Sequence, residues 1–167
     1  MVKFHIFFAL GKTASLTYAY DVTWRAIVNA ILKDAPREKH KCPALILNRF
    51  NTINGSIRNQ YILLKQTTGY YGIDIDDVDS INFVKRQLFE FVPELKIVWT
   101  SHSGRGIKAI GYNPILKNLN PEEYKARYKL VCNSIKQQCG IRIHFDLAQG
   151  RCHQPVFLNN DPNAYTR

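Results

Sequence analysis

Residues 70–100 read YYGIDIDDVDSINFVKRQLFEFVPELKIVWT, and this stretch decides the fold. Residues 70–75 alternate between the two faces of a strand, 80–91 repeat apolar residues at helical spacing, and 96–100 are strand-like again. Pro93 ends the helix because proline cannot continue it. The stretch therefore predicts a strand, a helix and a second strand in direct succession.

The following residues extend this unit. Residues 107–112 predict another strand, and 120–123, Asn-Pro-Glu-Glu, combine an N-cap, a proline at the first helical position and acids in the first turn. That helix is expected to run to Gly140, with strands at 141–146 and at 156–158. The order β-α-β-β-α-β is the ferredoxin-like unit, so the predicted fold class is α+β in two layers.

The front third gives weaker signals. Residues 4–10 predict a buried strand, and apolar residues recur at helical spacing from Asp21 until Pro36 ends the helix. A short strand is expected at 44–47 and a loop at 48–59. We therefore expect one domain, with 1–69 as an N-terminal α/β unit and 70–167 as a ferredoxin-like (RRM-like) module; the chain would also be compatible with a piece of a longer polypeptide.

Composition limits the class of protein. Of 167 residues, 46% are apolar and 22% are charged, which argues against a disordered chain, and no apolar run approaches the roughly 20 residues of a membrane span. A soluble protein is expected. Lys and Arg number 23 against 13 Asp and Glu, and the net charge of +10 favours polyanionic partners such as nucleic acid or nucleotide phosphates.

The four cysteines form no C-x2-C pair, so reduced core thiols in a cytoplasmic protein are expected. A zinc site is a less favoured alternative, because its spacing fits no standard finger. Its ligands would be Cys132, Cys139, Cys152 and either His144 or His153.

Two carboxylates stand on one face of the first predicted strand. Asp74 and Asp76 lie two residues apart, while Ile73 and Ile75 enter the core. Two neighbouring carboxylates repel each other unless a cation neutralises them, and Mg²⁺ or Mn²⁺ prefers carboxylate oxygens. The alternative is a strand end with solvated acids, since Asp77 continues the acidic run.

The turn after the second strand has the composition of a phosphate-binding loop. Residues 101–108 read SHSGRGIK, where serine hydroxyls and glycine N–H groups can donate to an anion and two cations supply charge. The candidate nucleotide-binding residues here are Ser101, Ser103, Gly104, Arg105, Gly106 and Lys108. A plain hairpin turn would explain the glycines but not the serines and cations.

A third feature follows the second helix. In residues 143–146, alternation places His144 and Asp146 on one face, so Asp146 can complete a triad of carboxylates. Arg151 follows closely and is a further candidate for phosphate binding. Three carboxylates holding two metal ions are typical of nucleotidyl transfer.

The chain carries an Asp-x-Asp strand, then a Ser-Gly-Arg-Gly turn, then a hydrophobic-Asp strand. In this order they resemble the three motifs of archaeo-eukaryotic primases. More narrowly, the chain resembles the divergent primase-polymerase domains of phages and mobile elements. The resemblance covers about 70–165. It implies that Asp74, Asp76 and Asp146 are catalytic metal ligands for two Mg²⁺ or Mn²⁺ ions and that 103–106 grip the triphosphate of an incoming NTP or dNTP. Lys108 stands where the second motif usually ends in His, a departure that puts rate or nucleotide choice in doubt.

The resemblance implies a DNA primase that synthesises primers on single-stranded DNA during replication in the bacterial or phage-infected cytoplasm, with a helicase as a further expected partner. A monomer is expected by default, and no membrane is expected because no apolar run is long enough to span one. Two other functions remain open. A non-catalytic module binding single strands or nucleotides would use the same charge, and exposed aromatic residues on the sheet would favour it. Metal-dependent phosphodiester hydrolysis would use the same carboxylates but needs no grip on a triphosphate.

Overall fold

The computed structural model describes residues 4–8, 15–16, 20–34, 42–50, 55–56 and 64–167. The elements, in chain order, are β1 (Phe4–Phe8), β2 (Ser15–Leu16), β3 (Tyr20–Val22), α1 (Trp24–Asn29), β4 (Pro43–Ile46), β5 (Arg49–Phe50), β6 (Gly55–Ser56), β7 (Leu64–Gln66), β8 (Thr68–Ile75), α2 (Ile81–Phe91), β9 (Leu95–Thr100), β10 (Ile107–Lys117), α3 (Pro121–Cys139), β11 (Val156–Phe157) and β12 (Tyr165–Thr166). A π-helical turn, Ala30–Asp34, continues α1, and a 3₁₀ turn, Leu147–Gly150, follows α3.

The main sheet is antiparallel and has the order β12-β9-β10-β8. Strand β10 therefore lies between β8 and β9, the two strands that α2 joins. One face of this sheet packs against α2 and α3 through a buried cluster that includes Ile73, Leu88 and Tyr128. Helix α3 begins where the sequence predicts, because Asn120 and Glu123 form a capping box, and it ends at Gly140, whose φ is +62°.

A second sheet, with the order β11-β4-β1-β3, is built mostly from the front third. Its residue Leu45 belongs to a second buried cluster with Ile27, Trp99, Ile110 and Val156. Ile110 and Trp99 belong to the main sheet, so that sheet is packed against apolar side chains on both of its faces. Two short pairs, β2 with β6 and β5 with β7, complete the strands of the described ranges.

The structure is α+β, as the sequence predicts, and it confirms the strands at 70–75, 96–100 and 107–112 and both later helices. The predicted strand at 141–146 is wrong. Only one bridge forms there, between Phe145 and Ile75. It cannot lengthen toward residue 141 because its partner strand β8 ends at Ile75. On its other side, the Asp146 side chain accepts a hydrogen bond from the Ala148 N–H, and the chain turns into the 3₁₀ helix. The pairing of this segment with β8 is therefore limited to a single bridge.

The front third needs further corrections. The segment 48–59, expected to be a loop, contains β5 and β6. The helix predicted from Asp21 begins at Trp24, with Thr23 as its N-cap, and changes to π-helical geometry at Ala30. Its predicted end at Pro36 and the end of the strand at 9–10 lie outside the described residues. Strand β11 appears within 156–158 as predicted, but it pairs with β4 of the second sheet. No helix within the described ranges is long and apolar enough to cross a membrane.

A buried ion pair fastens the C-terminal segment to α2 and β9. Lys85 Nζ donates to Asp161 Oδ2 at 2.7 Å, and the two side chains are 1% and 8% exposed. The Thr100 N–H donates to the same oxygen at 2.7 Å. Burial raises the pKa of Asp161, but the hydrogen bonds from Lys85 and Thr100 outweigh it, so the pKa lies below its ordinary value.

We predict that Lys85→Met lowers the free energy of unfolding by about 3–5 kcal/mol, because it leaves a buried carboxylate without its counter-ion. Arg86→Met is the matched control, since Arg86 pairs with Glu90 on the exposed side of the same helix and should leave stability almost unchanged. Equilibrium unfolding in urea measures both changes. Equal losses in the two variants would contradict a special role for the buried pair.

The same pair predicts a pH dependence. A carboxyl whose pKa is lower in the folded state stabilises the fold above its unfolded pKa, roughly 4, and loses this contribution as pH falls through the folded pKa. In Lys85→Met, burial without the ammonium raises the pKa of Asp161. The difference in unfolding free energy between wild type and Lys85→Met should therefore shrink as pH falls, beginning where Asp161 of the variant takes up a proton, above about pH 4. Urea unfolding at a series of acidic pH values measures it, and a constant difference would assign the stabilisation to other contacts.

Candidate functional site

One cavity of about 260 Å³ collects the three predicted metal ligands and part of the predicted phosphate loop. It lies where β8, the turn after β9 and the start of the 3₁₀ turn meet. Its lining comprises Asp74, Asp76, Ser101, His102, Ser103, Lys108, Asp146, Gln149, Gln154, Pro155, Phe157 and Asn159. The structure thus brings together residues that are more than 70 positions apart in the sequence.

Asp74 and Lys108 form an ion pair on the cavity wall. They are direct partners in the antiparallel register of β8 and β10, so the backbone places their side chains next to each other. The Lys108 ammonium donates to Asp74 Oδ2, and the two side chains are only 10% and 17% exposed. Lys108, expected to contact phosphate, therefore has a carboxylate as its partner in this structure.

The other two aspartates reach the cavity by different routes. The Asp146 N–H donates to the Asp74 carbonyl at 2.8 Å, so the bridge between Phe145 and Ile75 sets Asp146 beside Asp74. Asp76 follows the end of β8 and is exposed. Among the described residues, no hydrogen bond or ion pair reaches the Asp76 carboxylate, whereas one oxygen of Asp146 accepts the Ala148 N–H at 2.8 Å.

The turn at 101–106 is held by bonds within itself. The Gly104 N–H donates to the Ser101 carbonyl at 3.0 Å, and the Gly106 N–H donates to Ser101 Oγ at 3.1 Å. The expectation that these glycine N–H groups face an anion is therefore not met here. What this turn contributes to the cavity wall are the side chains of Ser101, His102 and Ser103, with the two serine oxygens 3.0 Å apart.

Gly106 is the glycine that the turn needs for space. A Cβ at this position would stand 2.6 Å from the Ile75 carbonyl oxygen and 3.0 Å from Ser101 Oγ. Gly104 differs, because its φ of +73° requires left-handed backbone, while a Cβ there would meet no atom of the described residues within 4 Å. Close approach explains one glycine, and backbone conformation explains the other.

Both predicted arginines lie outside this cavity lining. Arg105 is 79% exposed and stands 3.9 Å from Asp77 Oδ1. Arg151 lines a second cavity, of about 300 Å³, together with Cys152 and His153. Burial and the Arg151 charge lower the pKa of His153, so its neutral form is favoured. The structure therefore does not group Arg151 with the three aspartates.

None of the four cysteines forms a disulfide, and all four are buried, as expected for core thiols. Burial raises the pKa of Cys132 and of Cys152 to about 11, so both thiols are protonated at neutral pH.

Sequence reasoning missed several polar residues of the cavity. Asn159 is buried, accepts the Trp99 Nε1–H at 3.1 Å and donates to the Thr100 carbonyl at 2.9 Å. Gln149 is also buried on the wall, and Gln154 lies close to it in the lining. The only sequence signal was the concentration of Asn, Asp and Gln after Asp146, which resembles an ordinary loop.

The donor set fits a hard divalent cation in its chemistry, because three carboxylates line one cavity. Its present arrangement is not that of an open metal site. Within the ranges that the structure describes, no group of three or more His, Cys, Asp or Glu side chains is placed to hold a metal ion. Binding at Asp74 would require the Lys108 ammonium to move away.

Comparison with known proteins identifies the family. The model of the family described as BT4734-like, N-terminal domain, matches residues 37–165, which include every predicted site residue. The chain belongs to this family. Its description names a domain and no reaction. No curated protein and no solved structure matches the chain.

We predict that Gly106→Ala destabilises the fold by about 1–3 kcal/mol, because its Cβ would press on the Ile75 carbonyl. Gly104→Asn is the control, since asparagine tolerates left-handed backbone and has open space there. Thermal unfolding of both variants measures the difference. A Gly106→Ala protein as stable as wild type would show that the turn can move away from the Ile75 carbonyl without cost.

Proposed function

We propose that the protein is a metal-dependent, template-directed nucleotidyltransferase of the primase-polymerase type, which makes primers on single-stranded DNA. The single observation that carries the proposal is the shared cavity. Asp74, Asp76 and Asp146 line it together with Ser101 and Ser103, so candidate metal ligands and candidate phosphate ligands face the same space. A solvated strand end would not require this convergence of distant segments.

The topology is consistent with this proposal. Strand β10 lies between β8 and β9, and α2 and α3 pack on one face, which supports the ferredoxin-like assignment. The fourth strand of that unit corresponds to the single bridge at Phe145, which still delivers Asp146 to the side of Asp74. One fold can serve many functions, so the residues of the cavity carry the proposal.

The side chains have distinct roles in the proposed reaction. Asp74, Asp76 and Asp146 would hold two Mg²⁺ or Mn²⁺ ions, which would activate the attacking hydroxyl and stabilise the leaving pyrophosphate. The hydroxyls of Ser101 and Ser103 donate hydrogen bonds to phosphate oxygens. Lys108, once free of Asp74, supplies a positive charge to the triphosphate.

The net charge of +10 supports a polyanionic template bound through phosphate contacts, with little reading of sequence. Such binding weakens steeply as salt is raised. We further propose a helicase as partner, action as a monomer and a location in the cytoplasm of a bacterial or phage-infected cell.

A second function is favoured by one specific observation. Asp74 already has an ammonium counter-ion, as expected of a nucleotide-binding module that needs no metal. The sheet surface gives this alternative less support, since Tyr71 and Trp99 are fully buried, and Tyr70 is half-buried and packs between Trp24 and Tyr112. A single strand therefore cannot stack on the buried Tyr71 and Trp99.

The test is incorporation of labelled nucleotides on an unprimed single-stranded DNA template with Mg²⁺ or Mn²⁺. We predict that Asp76→Ala reduces synthesis at least about a hundredfold, because a lost metal ligand removes several kcal/mol of transition-state stabilisation. Substitution of Asp76 tests the mechanism more cleanly than substitution of Asp74, because Asp76 is exposed and has no ion-pair partner among the described residues. Asp74→Ala should abolish synthesis as well.

Asp79→Ala is the matched control, because Asp79 is an exposed acid in the next turn and lies outside the cavity lining. It should retain wild-type synthesis. Wild-type protein that binds single strands but incorporates no nucleotide would favour the binding module. Equal synthesis by wild type and Asp76→Ala would remove the carboxylates from the mechanism.

A further inference from the structure

The pairing of Lys108 with Asp74 is built into the backbone. Register partners on neighbouring antiparallel strands keep their side chains close without any loop movement. Both side chains are largely buried, at 10% and 17% exposure, so water screens the ion pair weakly. A single ammonium thus stands within the carboxylate cluster of the cavity.

The ammonium balances only part of the local charge. Asp76 and Asp146 line the same cavity, which gives three carboxylates beside one lysine in its lining. The cluster still favours added positive charge, but a divalent cation at Asp74 would be repelled by the ammonium that Asp74 holds. Cation and ammonium therefore compete for the same carboxylate.

We propose that Lys108 is an internal counter-ion that keeps the divalent-cation site closed until a polyphosphate arrives. This inference rests on the proposed metal-dependent function and adds a mode of regulation to it. An incoming polyphosphate offers Lys108 a new anionic partner next to Ser101 and Ser103, and the freed Asp74 can then bind the cation. Cation and polyphosphate therefore bind cooperatively, and each binds weakly alone.

The pair also has a purely structural interpretation, in which it only joins β8 to β10. In that case, removing the charge of Lys108 would lower stability and leave cation affinity unchanged. The two interpretations predict different divalent-cation affinities for a variant without the Lys108 charge, and measuring that affinity requires neither template nor catalysis.

The experiment is Mn²⁺ binding to the nucleotide-free protein, followed by electron paramagnetic resonance of the free ion at fixed ionic strength. Lys108→Gln is the test variant, because its amide can still donate to Asp74 while the charge is gone. We predict that it raises Mn²⁺ affinity on the order of tenfold. Lys108→Arg keeps the charge and should retain the weak wild-type affinity.

Lys117→Gln is the matched control, since Lys117 is an exposed lysine on the same strand and lies outside the cavity lining. It should behave as wild type. Asp76→Ala introduced into Lys108→Gln should remove the gained affinity. Circular dichroism verifies that each variant is folded, and Lys108→Met serves in place of Lys108→Gln if the latter unfolds.

Unchanged Mn²⁺ affinity in the folded Lys108→Gln protein, including no detectable binding in either protein, overturns the inference. The incorporation assay tests the proposed function separately. Raised Mn²⁺ affinity without any polymer would uphold the counter-ion role and reject the polymerase. Polymer formation by the wild type, with Mn²⁺ affinity unchanged in Lys108→Gln, would uphold the polymerase and reject the counter-ion role.

Discussion

The carboxylate of Asp161 joins three parts of the chain that the rest of the structure depends on. The carboxylate accepts hydrogen bonds from Lys85 on α2 and from the Thr100 N–H at the end of β9. The backbone N–H of the same residue donates to the Ile31 carbonyl at 2.8 Å. The end of β9 is therefore fixed against a helix on one face of the main sheet and against the π-helical turn after α1. Since the turn that lines the cavity begins at Ser101, its position depends on this carboxylate.

The placing of Asp74, Lys108 and Asp146 in the cavity follows from strand pairing. The register of β8 and β10 sets Lys108 beside Asp74, and one bridge sets Asp146 beside the same residue. Gly106 lets the turn approach the end of β8. Rigid backbone elements hold chemical groups more accurately than long loops do, which would suit the proposed site.

The sequence is most informative where the signals are local. Asn120 and Glu123 predicted the start of α3 correctly, because a capping box involves residues three apart. The alternation around Ile73 predicted β8 for the same reason, although the strand ends at Ile75, before Asp76. The cavity itself agrees with the grouping of three aspartates and two serines.

The remaining features depend on partners that are distant in sequence. No local pattern shows that Lys108 pairs with Asp74, that Lys85 is buried beside Asp161, or that Arg151 lines another cavity. The strand expected at 141–146 did not form because its partner β8 ends at Ile75 and because Asp146 caps a 3₁₀ turn. Alternation within one segment shows neither where a distant partner strand ends nor that a side-chain cap replaces the ladder.

The pairing of β11 with β4 affects the order in which the chain can fold while it is being synthesised. Its partner β4 comes early in the sequence, so the backbone groups on that edge of β4 must wait for residues 156–157 to leave the ribosome. Contacts this far apart close large loops and slow folding. Until then, Leu45 lacks the Val156 side chain that later covers it. The front third therefore completes its own sheet only after the residues of the cavity have been made.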